Sequence, residues 1–143
     1  MCLFSTILFF TFFINDKCNC IKTNKVISSA NMIIEYRPQK LNKLAGSITD
    51  GTGTIFDDSL VEVYRKKKGI DAYHSTEVIN PLITCKTDNE GKFCINNLSP
   101  GKYVLKAGTT DGGFNAVYII VTVNRFKLFH KNKSLDITLT VGQ

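Results

Sequence analysis

The sequence TDNEGKFCINNLSPGKYVLKA, residues 87–107, decides the fold of this chain. Polar and small turn residues alternate in it with two short β-forming runs, 92–96 and 102–108. In both runs the apolar side chains fall at every second position, as in a strand with one face in a core. The stretch therefore predicts turn, strand, turn and strand in that order.

The two turns contain residues with specific backbone roles. Asp88 is predicted to bond its own backbone, and Gly91 to supply a positive φ. In the second turn Pro100 fixes φ, and Gly101 is predicted to take the left-handed position. The oxygen atoms of residues 88–90 suit calcium, but the turn role explains them as well, so no metal site is predicted.

Outward from this stretch, short β-type runs and turn signals repeat along the chain. The predicted strands are 44–49, 60–65, 82–87, 92–96, 102–108, 114–124 and 135–141. This pattern predicts an all-β, seven-stranded sandwich over 44–143. A short helix is compatible with 66–81, which has no clear pattern. The predicted core residues are Ile48, Val61, Val63, Phe93, Ile95, Tyr103, Leu105, Ala107, Leu135, Ile137, Leu139 and Val141.

Residues 2–14 are uncharged and mostly apolar. The run is shorter than the roughly 20 residues of a membrane-spanning helix, but it fits the apolar region of a secretory signal peptide. We therefore predict a signal peptide over 1–20, cleaved after Cys20, and no transmembrane segment in the mature chain. A buried strand or helix, and a lipoprotein acylated at Cys18 or Cys20, are the alternatives. Residues 21–43 are predicted to be a leader that can add an edge strand.

The chain has 18 Lys and Arg against 12 Asp and Glu, a formal net charge of +6. The densest basic clusters are 65–68 and 125–133. A basic exported protein can adhere to acidic polysaccharide, anionic lipid or nucleic acid. A solvated loop that keeps the protein soluble is the preferred explanation of each cluster, and no nucleic-acid partner is expected.

Five cysteines are present, of which Cys85 and Cys94 would follow the cleavage site. An even number of cysteines in an exported protein suggests a disulfide. In a simple hairpin register Cys85 would oppose Cys94, with Cβ atoms about 4.5–5.5 Å apart, so a small adjustment would permit the bond. Two free thiols are the alternative. No metal site is predicted, because neither His74 nor His130 is at ligand spacing.

Three segments of the chain resemble one known family. They are Gly46–Asp50 followed by Gly53, then Ser59–Val63, then Thr87–Ala107. Together they resemble carboxypeptidase regulatory-like domains, which belong to the transthyretin-like (prealbumin-like) group of Ig-like sandwiches. The resemblance spans 44–141 and departs at Asp58, where the family usually has Gly. It implies a fold that hosts unrelated functions.

The sequence lacks the residues of the enzymes that share such a sandwich. Intradiol dioxygenases need two Tyr and two His around iron, including a His-x-His that is absent here. Hydroxyisourate hydrolases end in a Tyr-Arg-Gly-Ser-type tail, whereas this chain ends at Thr140–Gln143. The metallocarboxypeptidase active site lies in a separate domain. We therefore predict that the chain is not an enzyme and needs no cofactor.

The predicted function is that of a non-catalytic exported module, secreted, periplasmic or at the cell surface. It would mediate protein interaction or a structural role at the cell envelope, because the run 117–123 is apolar throughout. That run predicts either a strand covered on both faces or a face that meets a partner. The alternative is a carbohydrate-binding module with aromatic side chains as a stacking platform. The candidate aromatics are Tyr36, Tyr64, Tyr73, Tyr118, Phe114, Phe126 and Phe129.

Overall fold

The computed structural model describes residues 20–28, 34–56, 58–77, 80–124 and 134–142. These residues contain nine strands and one short helix. The strands are β1 (Ile21–Lys22), β2 (Ile34–Leu41), β3 (Leu44–Asp50), β4 (Leu60–Arg65), β5 (Ile83–Lys86), β6 (Lys92–Ile95), β7 (Gly101–Gly108), β8 (Val117–Val123) and β9 (Leu135–Leu139). The helix, α1 (Ala72–Glu77), lies within 66–81, the stretch whose sequence is compatible with a short helix.

The strands form two sheets that pack face to face around one core. The larger sheet has the order β1-β5-β4-β7-β8-β2, and the smaller has the order β6-β3-β9. β2 runs parallel to β8 and β9 parallel to β3, while the other pairs are antiparallel. The all-β sandwich is thus confirmed. The predicted count of seven becomes nine in the described chain, because residues 21–43 add two strands.

The predicted leader is part of the sandwich. β1 pairs with β5, and β2 forms the opposite edge of the larger sheet. Between them Ile27 is buried, and Lys25 Nζ lies 3.4 Å from Asp58 Oδ2. Pro38 lies inside β2, at an irregularity between Tyr36 and Gln39. An edge strand tolerates proline because its outward N–H has no partner strand to bond.

The predicted inward side chains lie in the core between the sheets, with one exception. Val141 is 67% exposed, because β9 ends at Leu139 and only an isolated bridge to Phe114 follows. The confirmed core residues are Ile48, Val61, Val63, Phe93, Ile95, Tyr103, Leu105, Ala107, Leu135, Ile137 and Leu139. Burial of each large apolar side chain stabilises the fold by about 1.5–3 kcal/mol.

The outer face of the larger sheet carries a second, smaller core. It contains Ile27, Leu60, Tyr64, Ala72, Val104, Ala116 and Tyr118. α1 covers this face, and the ring of Tyr73 meets that of Tyr118 edge-on at 5.7 Å between centroids. β8 is therefore covered on both faces within the chain as far as Tyr118, whereas Ile120 and Thr122, further along its outer face, are only half-buried.

The turn at Asp88–Gly91 carries the chain from the larger sheet to the smaller one. Asp88 Oδ1 accepts hydrogen bonds from the backbone N–H groups of Glu90 and Lys92, each at 2.9 Å. Gly91 has φ +68°, and its carbonyl accepts a hydrogen bond from Ile48 N at 2.9 Å. A Cβ on Gly91 would lie 2.8 Å from Ile48 O. Gly91 is thus required both by its conformation and by its contact with β3.

The second turn differs from the sequence prediction. Gly101 begins β7 and does not have a positive φ, whereas Asn97 has φ +64°. The reversal is made earlier in the loop, by an Asn that tolerates the left-handed region. Pro100 is exposed immediately before β7. Tyr103 fastens the loop, because its hydroxyl donates a 2.6 Å hydrogen bond to Ser99 O.

We expect Gly91→Ala to destabilise the protein more than Gly53→Ala. Both glycines have positive φ, but a Cβ on Gly53 meets nothing within 4 Å. Each variant loses about 1–2 kcal/mol from the backbone conformation, and Gly91→Ala loses a further 1–3 kcal/mol, roughly, from the forced contact. Urea denaturation measures both. Equal losses in the two variants would show that the contact with Ile48 does not matter.

Candidate functional site

A cleft of about 670 Å³ opens on the outer face of the larger sheet, beyond the part that α1 covers. One wall is the loop after β4. Lys66 N donates to Lys102 O at 3.1 Å, which extends the pairing of β4 with β7 by one residue. The loop then turns at Gly69, with φ +77°, and leads to α1. The sheet and the helix thereby hold the loop at the cleft.

The floor of the cleft is a row of side chains across three neighbouring strands. Thr122 on β8 is paired with Lys40 on β2 and with Lys102 on β7. Directly paired residues point to the same face of a sheet. Because neighbouring strands lie about 4.8 Å apart, the backbones of the two lysines are about 10 Å apart. Ile120, two residues before Thr122, adds an apolar patch on the same face.

Among the residues that the structure describes, every titratable side chain that lines the cleft is a lysine. They are Lys40, Lys66, Lys67, Lys68 and Lys102. Lys66 Nζ donates to Lys67 O at 2.9 Å, and Lys40, Lys68 and Lys102 are exposed. Each ammonium is a point charge with three donors on a flexible stem. The arrangement can bind several spaced anionic groups at once.

The sequence pointed to only part of this site. It identified the cluster 65–68, but it did not connect Lys40 or Lys102 with it. Alternation in β7 puts Lys102 on the outer face, which was the available signal. The parallel pairing of β2 with β8 is what brings Lys40 in, and no local pattern indicates it. The second basic cluster, 125–133, lies outside the described residues.

A buried carboxylate anchors the other part of the outer face. Glu62 is 2% exposed and accepts hydrogen bonds from Ile27 N at 3.0 Å and from the Tyr64 hydroxyl at 2.6 Å. Lys106 Nζ lies 3.8 Å from the same carboxylate. Burial and the hydrogen bond to Glu62 raise the pKa of Tyr64, so its hydroxyl stays protonated. The carboxylate thus fastens the segment after β1 over the sheet.

The predicted disulfide between Cys85 and Cys94 does not form in the structure. The two residues lie on different sheets, because β5 and β6 are not a hairpin pair. Cys85 is a free thiol and is buried, and Cys20 is a free thiol that is half-buried. Cys94 is disulfide-bonded, and its partner is neither of these two. The turn at Asp88 moves the chain between sheets instead of reversing it within one sheet.

The aromatic platform expected of a sugar-binding face is absent from the described residues. Tyr64 and Tyr118 are buried in the outer core. Tyr73 packs on Tyr118, and Phe114 on Phe56 at 4.6 Å between ring centroids. Phe126, Phe129 and the side chain of Tyr36 lie outside the part of the chain that the structure describes.

The side chains of Asp88 and Glu90, which the sequence offered as calcium ligands, make contacts within the turn. Asp88 caps the turn, and Glu90 pairs with Lys92. Within the described ranges, no group of three or more His, Cys, Asp or Glu side chains can hold a metal ion.

No protein-family model matches the chain, and no curated protein sequence matches it. Among solved structures, the chain is similar to 3-chlorocatechol 1,2-dioxygenase from Rhodococcus opacus 1CP. The identity is 11%, the alignment covers 85% of this chain and 72% of that chain, and the TM-score is 0.42. At this TM-score and identity, the similarity does not establish a shared fold or a shared activity. In the part of the chain that the structure describes, no helix has the length and apolarity to cross a membrane.

We expect Glu62→Ala to lower the free energy of unfolding by about 3 kcal/mol, because it leaves buried donors without an acceptor. Glu62→Gln retains an acceptor oxygen and should lose less. The matched control is Glu90→Ala, which removes an exposed ion pair and should change little. Chemical denaturation measures all three variants. A loss in Glu62→Ala no larger than in the control would contradict the anchoring role.

Proposed function

We propose that this chain is a non-catalytic, exported binding module, and that its lysine-lined cleft binds an acidic polysaccharide. The observation that carries the proposal is the convergence of five lysines on one cleft whose floor includes an apolar patch at Ile120. Carboxylate or sulfate groups repeated along a sugar chain match cations about 10 Å apart across the sheet. Ile120 and Pro38 offer apolar contacts to the sugar rings between those groups.

The composition of the cleft favours a polysaccharide over other polyanions. Single-stranded nucleic acids are usually bound with aromatic side chains that stack on bases, and none of the described residues that line this cleft is aromatic. An anionic membrane needs a surface that can lie against it, whereas these lysines line a concavity. The proposal depends on charge and not on aromatic stacking.

The residues that line the cleft also support the proposal that the module is not catalytic. Among the described residues that line the cleft the titratable groups are lysines, and none of them is a carboxylate or a histidine that could accept a proton from a nucleophile. The proposed family type, a carboxypeptidase regulatory-like sandwich, is supported by the three matching segments. The proposed export is supported by the apolar residues 2–14.

A protein partner at the β2 edge is the second candidate. β2 ends the larger sheet in the described chain, so its outer backbone groups could pair with an added strand. Two observations place this candidate second. Pro38 interrupts the edge, and most of the apolar run 117–123, which first suggested a partner, is buried by the inner core and by the cluster around α1.

We expect the triple variant Lys40→Gln, Lys68→Gln, Lys102→Gln to weaken binding to heparin at least about tenfold. All three side chains are exposed, so the fold should be kept. Because the binding is electrostatic, the wild-type affinity should fall as salt rises. Titration calorimetry at several salt concentrations measures both effects, with neutral dextran as the uncharged polysaccharide.

The control variant removes three charges elsewhere, at Lys22, Lys25 and Lys92, all of them exposed. Lys22 lies on the opposite edge of the larger sheet, and Lys92 lies on the smaller sheet. Equal weakening in both triple variants would mean that net charge, and not the cleft, binds heparin. Tighter binding to anionic vesicles or to DNA than to heparin would overturn the choice of ligand. Binding that does not change with salt would overturn the electrostatic basis.

A further inference from the structure

Two cysteine side chains and the backbone of a third cysteine come together where β1, β5 and β6 approach one another. Cys85 on β5 is fully buried, and Cys20 packs against the same core just before β1. Cys94, on β6 of the other sheet, has a backbone N–H that lies near the Cys85 thiol. Since Cys94 is already disulfide-bonded, its sulfur is not a bonding partner for Cys85.

The pairing of β1 with β5 holds Cys20 beside Cys85. Ile21 is paired with Lys86 and Lys22 with Cys85 in antiparallel register. Cys20 therefore extends along β5, and its thiol is hydrogen-bonded to that of Cys85. This contact makes the two sulfur atoms neighbours, as a disulfide between them requires. Both side chains pack against the core. Among the described residues, Cys20 and Cys85 are the free cysteines, so each has the other as its available bonding partner.

We propose that Cys20 and Cys85 form a disulfide bond that fastens β1 to β5 and keeps Cys20 in the mature chain. The inference shares with the proposed function only the export of the chain to an oxidising compartment. It places signal-peptide cleavage before Cys20, in place of the cleavage after Cys20 that the sequence suggested.

The reaction is a thiol–disulfide exchange with an external disulfide. The accessible Cys20 attacks that disulfide, forms a mixed disulfide and releases one thiol. Cys85 then attacks the Cys20 sulfur and releases the second thiol, so two S–H bonds and one external S–S bond become one S–S bond and two external thiols. Burial and the hydrogen bond to Cys20 raise the pKa of Cys85 to about 12. The second step is therefore fastest before Cys85 is buried, during folding.

Peptide mapping tests the bond directly. The full chain is refolded in reduced and oxidised glutathione, its free thiols are alkylated, and it is digested with trypsin without reduction. Lys86 and Lys92 separate Cys85 from Cys94, and Lys22 ends the peptide that contains Cys20. We expect mass spectrometry to find the Cys85 peptide linked to the Cys20 peptide. Alkylated Cys85, or Cys85 linked to the Cys94 peptide without the Cys20 peptide, would overturn the proposal.

Two serine variants complete the test, because Cys18 and Cys20 share a tryptic peptide. In Cys20→Ser, Cys85 should become alkylated, and the Tm should fall by roughly 10 °C relative to the oxidised wild type. In Cys94→Ser the link should persist. A link that survives in Cys20→Ser, or an exported chain whose intact mass begins at Ile21, would refute the proposal. None of these readouts depends on ligand binding.

Discussion

The turn at Asp88–Gly91 is the constraint on which the rest of the sandwich depends. The Asp88 carboxylate holds two backbone N–H groups, and Gly91 fits against the backbone of β3 with no room for a side chain. This geometry sends β5 and β6 into different sheets. Phe93 and Ile95 then pack from the smaller sheet onto the core of the larger one. The same crossing separates Cys85 from Cys94.

The larger sheet must be covered on both faces, and the cleft lies where its outer cover ends. Its inner face packs on the smaller sheet, while α1 and the segment around Ile27 cover much of its outer face. Glu62 holds that segment through Ile27 N, and Lys106 stands close to its charge. Beyond the cover the outer face carries Lys40, Lys102 and Thr122. Lysines suit this rim, because their stems can cover apolar surface while their charges stay in water.

The alternation of apolar residues and the turn residues predicted most of the strands, but they gave wrong or incomplete predictions at three positions. Alternation marked the inward faces of β4, β6 and β7 correctly, because a side chain's face follows from its position in the strand. It failed at Val141, since periodicity does not show where a strand loses its partner. The left-handed residue was assigned to Gly101, but Asn97 takes that conformation. The basic cluster 65–68 was visible, whereas its meeting with Lys40 needed a parallel pairing between residues 82 positions apart, Lys40 and Thr122.

The sequence by itself determined the all-β class, most strand positions, the inward side chains and the turn chemistry of Asp88 and Gly91. These properties follow from propensity and periodicity, which act over a few residues. Only the tertiary structure decided that β1 and β2 join the larger sheet, that the Cys20 thiol lies against the Cys85 thiol, and that five lysines share one cleft. These outcomes depend on contacts between distant segments, which form when both sheets bury their apolar faces together.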